Sequence, residues 1–296
     1  MPVKLYGSFA DHVYLACVHI AAWLALLLVA IPLLFVIASS FSSARAIAAG
    51  QVFLWPVQFN IEGYRLIFRT PIMLTGYRNS IIYASLGTTI NVCMTMLAAY
   101  PLSRKDFQGR SFIMIYFVIT MFFSGGLIPT YLLVRNLGML NTIWAMVIPT
   151  AMGVWFVIIS RTYLQANIPR ELYESAAMDG CGDFRFLLSV VIPLSKPIIA
   201  VISLLYAINH WNSFFPALIY LSDERLFPLQ LILRDILIHN LGLGDPTNVT
   251  EQMERLYFSY LLRYSSIVVA SVPVMLMYPF VQKHFVKGIM IGALKG

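Results

Sequence analysis

Long apolar runs alternate with short polar stretches along this chain. The runs cover about residues 13–39, 78–101, 112–134, 142–163, 197–221 and 264–286. Each reaches roughly the 20 residues needed to cross a hydrocarbon core about 30 Å thick. They are continuously apolar, too long for barrel strands, and lipid cannot satisfy an exposed backbone, so they read as membrane-crossing helices. No polar stretch is large enough for a soluble domain. The pattern predicts an all-α membrane protein with six spans and a single transmembrane domain over 1–296. The first run exceeds a signal-peptide core and lacks a convincing cleavage site, so it reads as a retained span.

Three interruptions stand out. Between the fourth and fifth runs lies a polar loop, 164–196, whose centre is Ile168-Pro-Arg-Glu-Leu-Tyr-Glu-Ser-Ala-Ala-Met-Asp-Gly-Cys-Gly-Asp-Phe184. Asn167 or Ile168 suits a helix cap, Pro169 its first turn, and Glu171 and Glu174 its positive end. Glu174, Ala177 and Cys181 are spaced to share a helical face. Gly180 and Gly182 break the helix, and Phe184 to Val191 resumes one. The loop therefore predicts a short helix, a turn and a second short helix. It is either a polar connector or a surface on which a partner docks. The second interruption, Ser124-Gly-Gly-Leu-Ile-Pro129, breaks the third run, either along a pathway or at the outer end of a span. The third is Asn209-His-Trp-Asn-Ser213 in the fifth run. Polar groups there line a water-filled path or bond between helices; Asn209 and Asn212 fit both readings, and a lone His210 is more often satisfied structurally.

Composition agrees with membrane residence. Of the 296 residues 59% are hydrophobic and 11% charged, against roughly 25% charged in soluble domains, and the mean hydropathy is +0.79. The net charge of +7 comes from bases that flank apolar runs, so it signals topology rather than nucleic-acid binding. Arg104, Lys105 and Arg110 follow the second run and Lys283, Lys287 and Lys295 the last, while Arg135 stands alone between the third and fourth. That bias predicts both termini inside, with 164–196 on the inner side and 222–263 outside. Arg45, Arg65, Arg69 and Arg78 oppose it, but on a long loop, which counts for less. Cys17, Cys93 and Cys181 form no metal or disulfide pattern.

Glu174-Ser-Ala-Ala-Met-Asp-Gly180, nine further residues and Val190-Val-Ile-Pro193 resemble the EAA loop of ABC-importer permeases. The spacing of that pattern, E-A-A, three residues, G, nine residues, I-x-L-P, matches throughout. Ser175, Val190 and Ile192 are mild departures. Phe53-Leu-Trp-Pro56, Gly76-Tyr-Arg-Asn-Ser80 and the ending Lys287-Gly-Ile-Met-Ile-Gly-Ala-Leu-Lys-Gly296 are similar to the carbohydrate-uptake, maltose-type branch. The break in the third run, with LVRNLGMLNTIW and FPLQLILRDIL, resembles a subgroup that imports polysaccharide fragments, including pectin-derived and alginate-derived oligosaccharides.

The resemblance implies a type I permease fold and a cytoplasmic coupling helix, on which Glu174, Ser175, Ala176, Ala177, Asp179 and Gly180 meet an ATPase. It implies four kinds of partner: a homologous second permease, a dimer of cytoplasmic ABC ATPases, an extracytoplasmic solute-binding protein and the lipid bilayer of a bacterial inner membrane. ATP and Mg belong on the ATPases, with no cofactor, metal or catalytic residue on this chain. The translocation-path candidates are Asn209, His210, Trp211 and Asn212. The 222–263 loop either docks the binding protein or caps its own bundle. The tail either reaches between the ATPases or frays.

Independently, the chain lacks G-x-x-x-x-G-K-[ST], HExxH and GxSxG. An ion-coupled carrier would need embedded ionisable relays; only His19 and His210 are at hand, with no acid deep in a run. An importer of another solute remains the nearer alternative.

Overall fold

The apolar runs fold as helices whose breaks coincide with glycine, proline and short polar residues. A computed structural model describes residues 9–69, 71–239 and 249–293; Asp245 and the last three residues of the closing motif lie outside them. In order the helices are α1 (Phe9–Ser40), α2 (Ala44–Ala48), α3 (Glu62–Arg69), α4 (Pro71–Ser103), α5 (Arg110–Phe122), α6 (Leu127–Asn136) and α7 (Ile143–Val147). There follow α8 (Val154–Asn167), α9 (Arg170–Met178), α10 (Asp183–Phe186), α11 (Ile192–Leu194), α12 (Lys196–Trp211), α13 (Phe214–Tyr220), α14 (Leu229–His239) and α15 (Val249–Ala293). No strand occurs among the described residues.

Among the described residues, three helices are long and apolar enough to cross a membrane alone: Phe9–Ser40, Pro71–Ser103 and Leu256–Met277 within α15. Three bent pairs reach that threshold only jointly. They are Arg110–Phe122 with Leu127–Asn136, bent by 112°, Ile143–Thr150 with Val154–Asn167, bent by 52°, and Asp183–Leu194 with Lys196–Trp211, bent by 83°. Counting each pair once gives six spans.

The break in the third span falls at the expected Gly-Gly and Pro. The other two were not anticipated. In the fourth, Pro149 and Gly153 interrupt the run. In the fifth, the chain turns at Ser195, between Pro193 and Pro197, because neither proline donates a backbone hydrogen bond. The run read as one helix from 197 to 221 also ends early. α12 stops at Trp211, and Phe214 N–H turns back to the carbonyl of Asn212 at 2.8 Å before α13 begins. The segment 222–263, read as a loop, is largely helical in its described parts.

Two compact units emerge from the contacts, one within Met1–Thr70 and Asp235–Ser271, the other within Pro71–Arg234 and Val272–Gly296. In the first, only the last turn of α1 is buried, at Ala38, Ser39 and Ser40. Phe35 meets Tyr264 edge-on at 5.8 Å. The rest of α1 presents bare apolar side chains, as a lipid-facing or partner-facing helix does. In the second unit α4 is the central post, packing most extensively on α12 and then on α8. Their shared core includes Met96, Ala99, Val157, Leu164, Ile202 and Tyr206. Because lipid is as apolar as Leu, close packing and hydrogen bonds hold such helices together.

Candidate functional site

The insert between the fourth and fifth spans forms the predicted helix–turn–helix. Pro169, extended with φ −63° and ψ 147°, is the N-cap of α9 rather than Asn167 or Ile168. Asn167 instead closes α8, donating to Tyr163 O at 2.9 Å. α9 ends at Met178, where Gly180 takes φ +73°, a conformation glycine adopts without strain. Its N–H reaches Ala177 O at 3.1 Å and that of Cys181 reaches Ala176 O at 2.9 Å, satisfying carbonyls that a helix end leaves open. The helix therefore does not carry Glu174, Ala177 and Cys181 on one face as their spacing predicts. Cys181 lies past its end and turns inward with Tyr173 and Ala176 onto the core around Leu164 and Phe186.

The opposite face is open. Glu174, Ser175, Ala177, Asp179 and Gly180 are exposed there, alongside Leu172 at 40% and Met178 at 84% exposure. Glu174 pairs with Arg170 one turn back at 2.7 Å. A rigid ridge of small, apolar and acidic groups thus stands free of the bundle.

One residue that sequence reading used only for topology holds this hairpin to the bundle. Arg104 follows the end of α4, and its guanidinium lies over the Tyr173 ring of α9, 3.7 Å from the centroid. It pairs with Asp183 at the start of α10 and with Asp106 of its own loop, and donates to Tyr100 Oη at 3.3 Å. The Asp106 carboxylate, by its hydrogen bonds, strengthens the grip of Arg104 on its proton against the opposing effect of burial. Arg104 in turn holds the Asp106 carboxyl below its usual value. A cavity of about 470 Å³ opens beside this cluster, lined among others by Arg104, Arg110, Gln165, Tyr173 and Glu174. The sequence signal for Arg104 was only an acid two positions on.

The polar run of the fifth span divides in two. Asn209 and Asn212 are exposed, Asn212 as the C-cap of α12, whereas His210 and Trp211 are buried. Trp211 meets Tyr77 of α4 at 6.0 Å. His210 Nε2 shares a hydrogen bond with Asn91 Oδ1 at 2.8 Å, and Asn91 Nδ2 donates to the carbonyl of Thr150. On the same two helices Tyr206 Oη and Thr95 Oγ1 lie 2.8 Å apart, and Tyr206 Oη accepts from Gly153 N–H at 3.0 Å. Thr150 and Gly153 flank the break between α7 and α8. Groups of α4 and α12 therefore satisfy backbone that the broken fourth span leaves free, the condition under which such breaks are tolerated in lipid. The four path candidates are not brought together. Two face outward and two belong to, or pack beside, this internal lattice.

Farther along α4, Asn79 Nδ2 donates to the carbonyls of Arg225 and Phe227 at 2.8 and 3.0 Å. Tyr83 Oη donates to that of Leu226 at 2.6 Å, and Ser80 Oγ accepts from Leu229 N–H at 2.8 Å. The Gly76–Ser80 motif thus serves to clamp the segment after the fifth span. Among the described residues no group of three or more His, Cys, Asp or Glu side chains could hold a metal ion.

Broken apolar spans, the fourth with its freed backbone bonded by neighbouring helices, and an exposed helical hairpin between the fourth and fifth have the architecture of a membrane permease component. The chain belongs to the family of binding-protein-dependent transport system inner membrane components, whose model matches residues 73–291. It is 40% identical to the polygalacturonan/rhamnogalacturonan transport system permease protein YtcP of Bacillus subtilis, over 91% of this chain and 94% of that one. It is 38% identical to protein LplC of the same organism, over 90% and 89%. Among solved structures, a chain of a bacterial ABC transporter involved in the import of the acidic polysaccharide alginate superposes with a TM-score of 0.86 at 30% identity, covering 95% of this chain and 100% of that one. The fold is that of a type I ABC-importer permease.

Proposed function

We propose that this chain is one transmembrane half of an ATP-driven, binding-protein-dependent importer of oligosaccharides, acidic ones such as pectin or alginate fragments among them. Both compact units serve a single permease domain in a bacterial inner membrane, with both termini in the cytoplasm. A second permease completes the pathway, a pair of ABC ATPases binds ATP and Mg, and an external binding protein delivers the sugar. The observation that carries this reading is the α9 hairpin. Its exposed residues Glu174, Ser175, Ala177, Asp179 and Gly180, with Ala176 at the inner edge, stand as a ridge on a chain with no phosphate-binding loop of its own. ATP-driven closure of the ATPases pushes on that ridge and reorients the spans, a rigid-body transmission. The uronate polymers in the relatives' names support an acidic sugar.

The test is recovery of partners. The tagged chain, extracted gently from native membranes, should bring a P-loop ATPase and a second six-span chain, identified by mass spectrometry. Glu174→Lys and Gly180→Pro should lose the ATPase. A chain that purifies alone, active and indifferent to ATP, overturns the reading. For cargo, the reconstituted complex with its binding protein should take up labelled oligogalacturonate or oligoalginate in preference to neutral maltooligosaccharides.

A further inference from the structure

We infer that Arg104 is a positioning residue that ties the α9–α10 hairpin to the ends of α4 and α8, so that the hairpin can pull on the bundle as well as push. This rests on the coupling reading above and adds a residue outside its motif. The Arg104 side chain is only 16% exposed although it lies beyond the end of α4. It is covered because three segments converge on it: Tyr100 of α4, Asp106 of its own loop, and Tyr173 and Asp183 of the hairpin. Among the described residues no other ion pair joins the hairpin to another segment.

The platform beneath Arg104 is itself anchored. Its N–H returns to Pro101 O at 3.1 Å, and its carbonyl accepts from Arg110 Nη1 at 3.2 Å. From α8, Arg161 Nε donates to Leu102 O at 2.9 Å and Gln165 Nε2 to Ser103 O at 3.4 Å. Whatever holds Arg104 therefore holds the ends of both helices.

The physical argument is directional. The apolar contacts of Tyr173, Ala176 and Cys181 with the core resist compression, so they transmit a push. Such contacts are non-directional and let one surface slide over the other, so they fix the hairpin less firmly against a pull than against a push. A transport cycle also needs the return stroke when the ATPases reopen. A guanidinium stacked on a ring and bonded to carboxylates holds in both directions, because charge-assisted bonds are stronger and oriented. Arginine suits the place because its planar fork stacks and bonds at once; lysine offers a charge without the plane.

The test uses the full complex in proteoliposomes, reading substrate imported per ATP hydrolysed. For Arg104→Gln, the ATPase should co-purify in wild-type proportion and hydrolysis should persist, while import per ATP falls roughly five-fold or more. Arg104→Lys should lie between, and Asp183→Asn and Tyr173→Leu, which spare the arginine, should each lower the ratio. Unchanged import per ATP in an intact Arg104→Gln complex overturns the inference, as does an import loss matched by an equal loss of assembled complex in all four variants. Glu174→Lys separates the two levels. If it loses the ATPase while the Arg104 variants stay fully coupled, the docking reading stands and this one falls. If it keeps the ATPase, the docking reading fails first.

Discussion

The hairpin and the polar run of the fifth span are two polar places of the second unit, and they are built oppositely. The hairpin carries charges: Arg104 between two carboxylates, Arg170 beside Glu174, and an open acidic ridge. In the fifth span His210 and Tyr206 bond to Asn91 and Thr95 of α4, and this set also bonds to backbone freed at the break of the fourth span. Water at a bundle end makes charge inexpensive and leaves an exposed pair such as Arg170–Glu174 weak, about 0–1 kcal/mol, whereas the Arg104 side chain is largely covered. Inside a membrane bundle every polar atom needs a partner, and one left without costs about 1–3 kcal/mol. If, as proposed, the hairpin is the coupling surface, the internal lattice governs stability and the hairpin communication, and substitutions in the two places should separate the two properties.

The largest loss of stability is expected at Gly87. A side chain there meets the His210 ring, with Cβ 2.4 Å from Nε2. His210 is 5% exposed and cannot retreat. Gly87→Leu should cost about 3 kcal/mol by overpacking, seen as a lower Tm of the purified complex in detergent, whereas Glu174 docking survives at low temperature. Next comes Asn91→Leu, which strands both His210 and the Thr150 carbonyl. A loss of about 1–2 kcal/mol is expected, and Asn91→Leu with His210→Phe should cost less than the sum of the two singly.

Gly180→Val should invert the pattern. A β-branched residue at φ +73° strains the turn by about 1–2 kcal/mol, so co-purification of the ATPase drops while the thermal transition of the bundle moves little. Breaking the exposed Arg170–Glu174 pair with Arg170→Ala should shift stability by less than about 0.5 kcal/mol, within the scatter of repeated melts.

The smallest effect is that of pH. Arg104 depresses the Asp106 carboxyl, so the stabilisation is fully present above the unfolded value near 4 and is lost only as pH falls through the lower, folded one. Import per ATP should be flat from about pH 8 to about pH 6 as far as this pair is concerned. A decline across that range shared by wild type and Asp106→Asn would assign it to another group.

The residues themselves fixed a good part of this. Continuous apolar runs required helices, since no other open structure satisfies its backbone in lipid. Their lengths set the number of spans, Ser124 to Pro129 marked the break in the third, and the spacing from Glu174 to Pro193 located the hairpin. All of these are local properties, readable within a single stretch of roughly twenty to thirty consecutive residues. What escaped was set by pairs distant in sequence. Arg104 reads as one more flanking base until Asp183, 79 residues away, is brought against it. Asn91 and His210 read as isolated polar residues until they meet across 119 positions. The same applies to the break at Gly153, tolerated because Tyr206 stands opposite to receive its N–H. A sequence determines where a backbone must stay paired and where it is free to bend. Only the packed bundle decides which distant side chain meets each freed group, because that depends on which helices lie side by side and at what height.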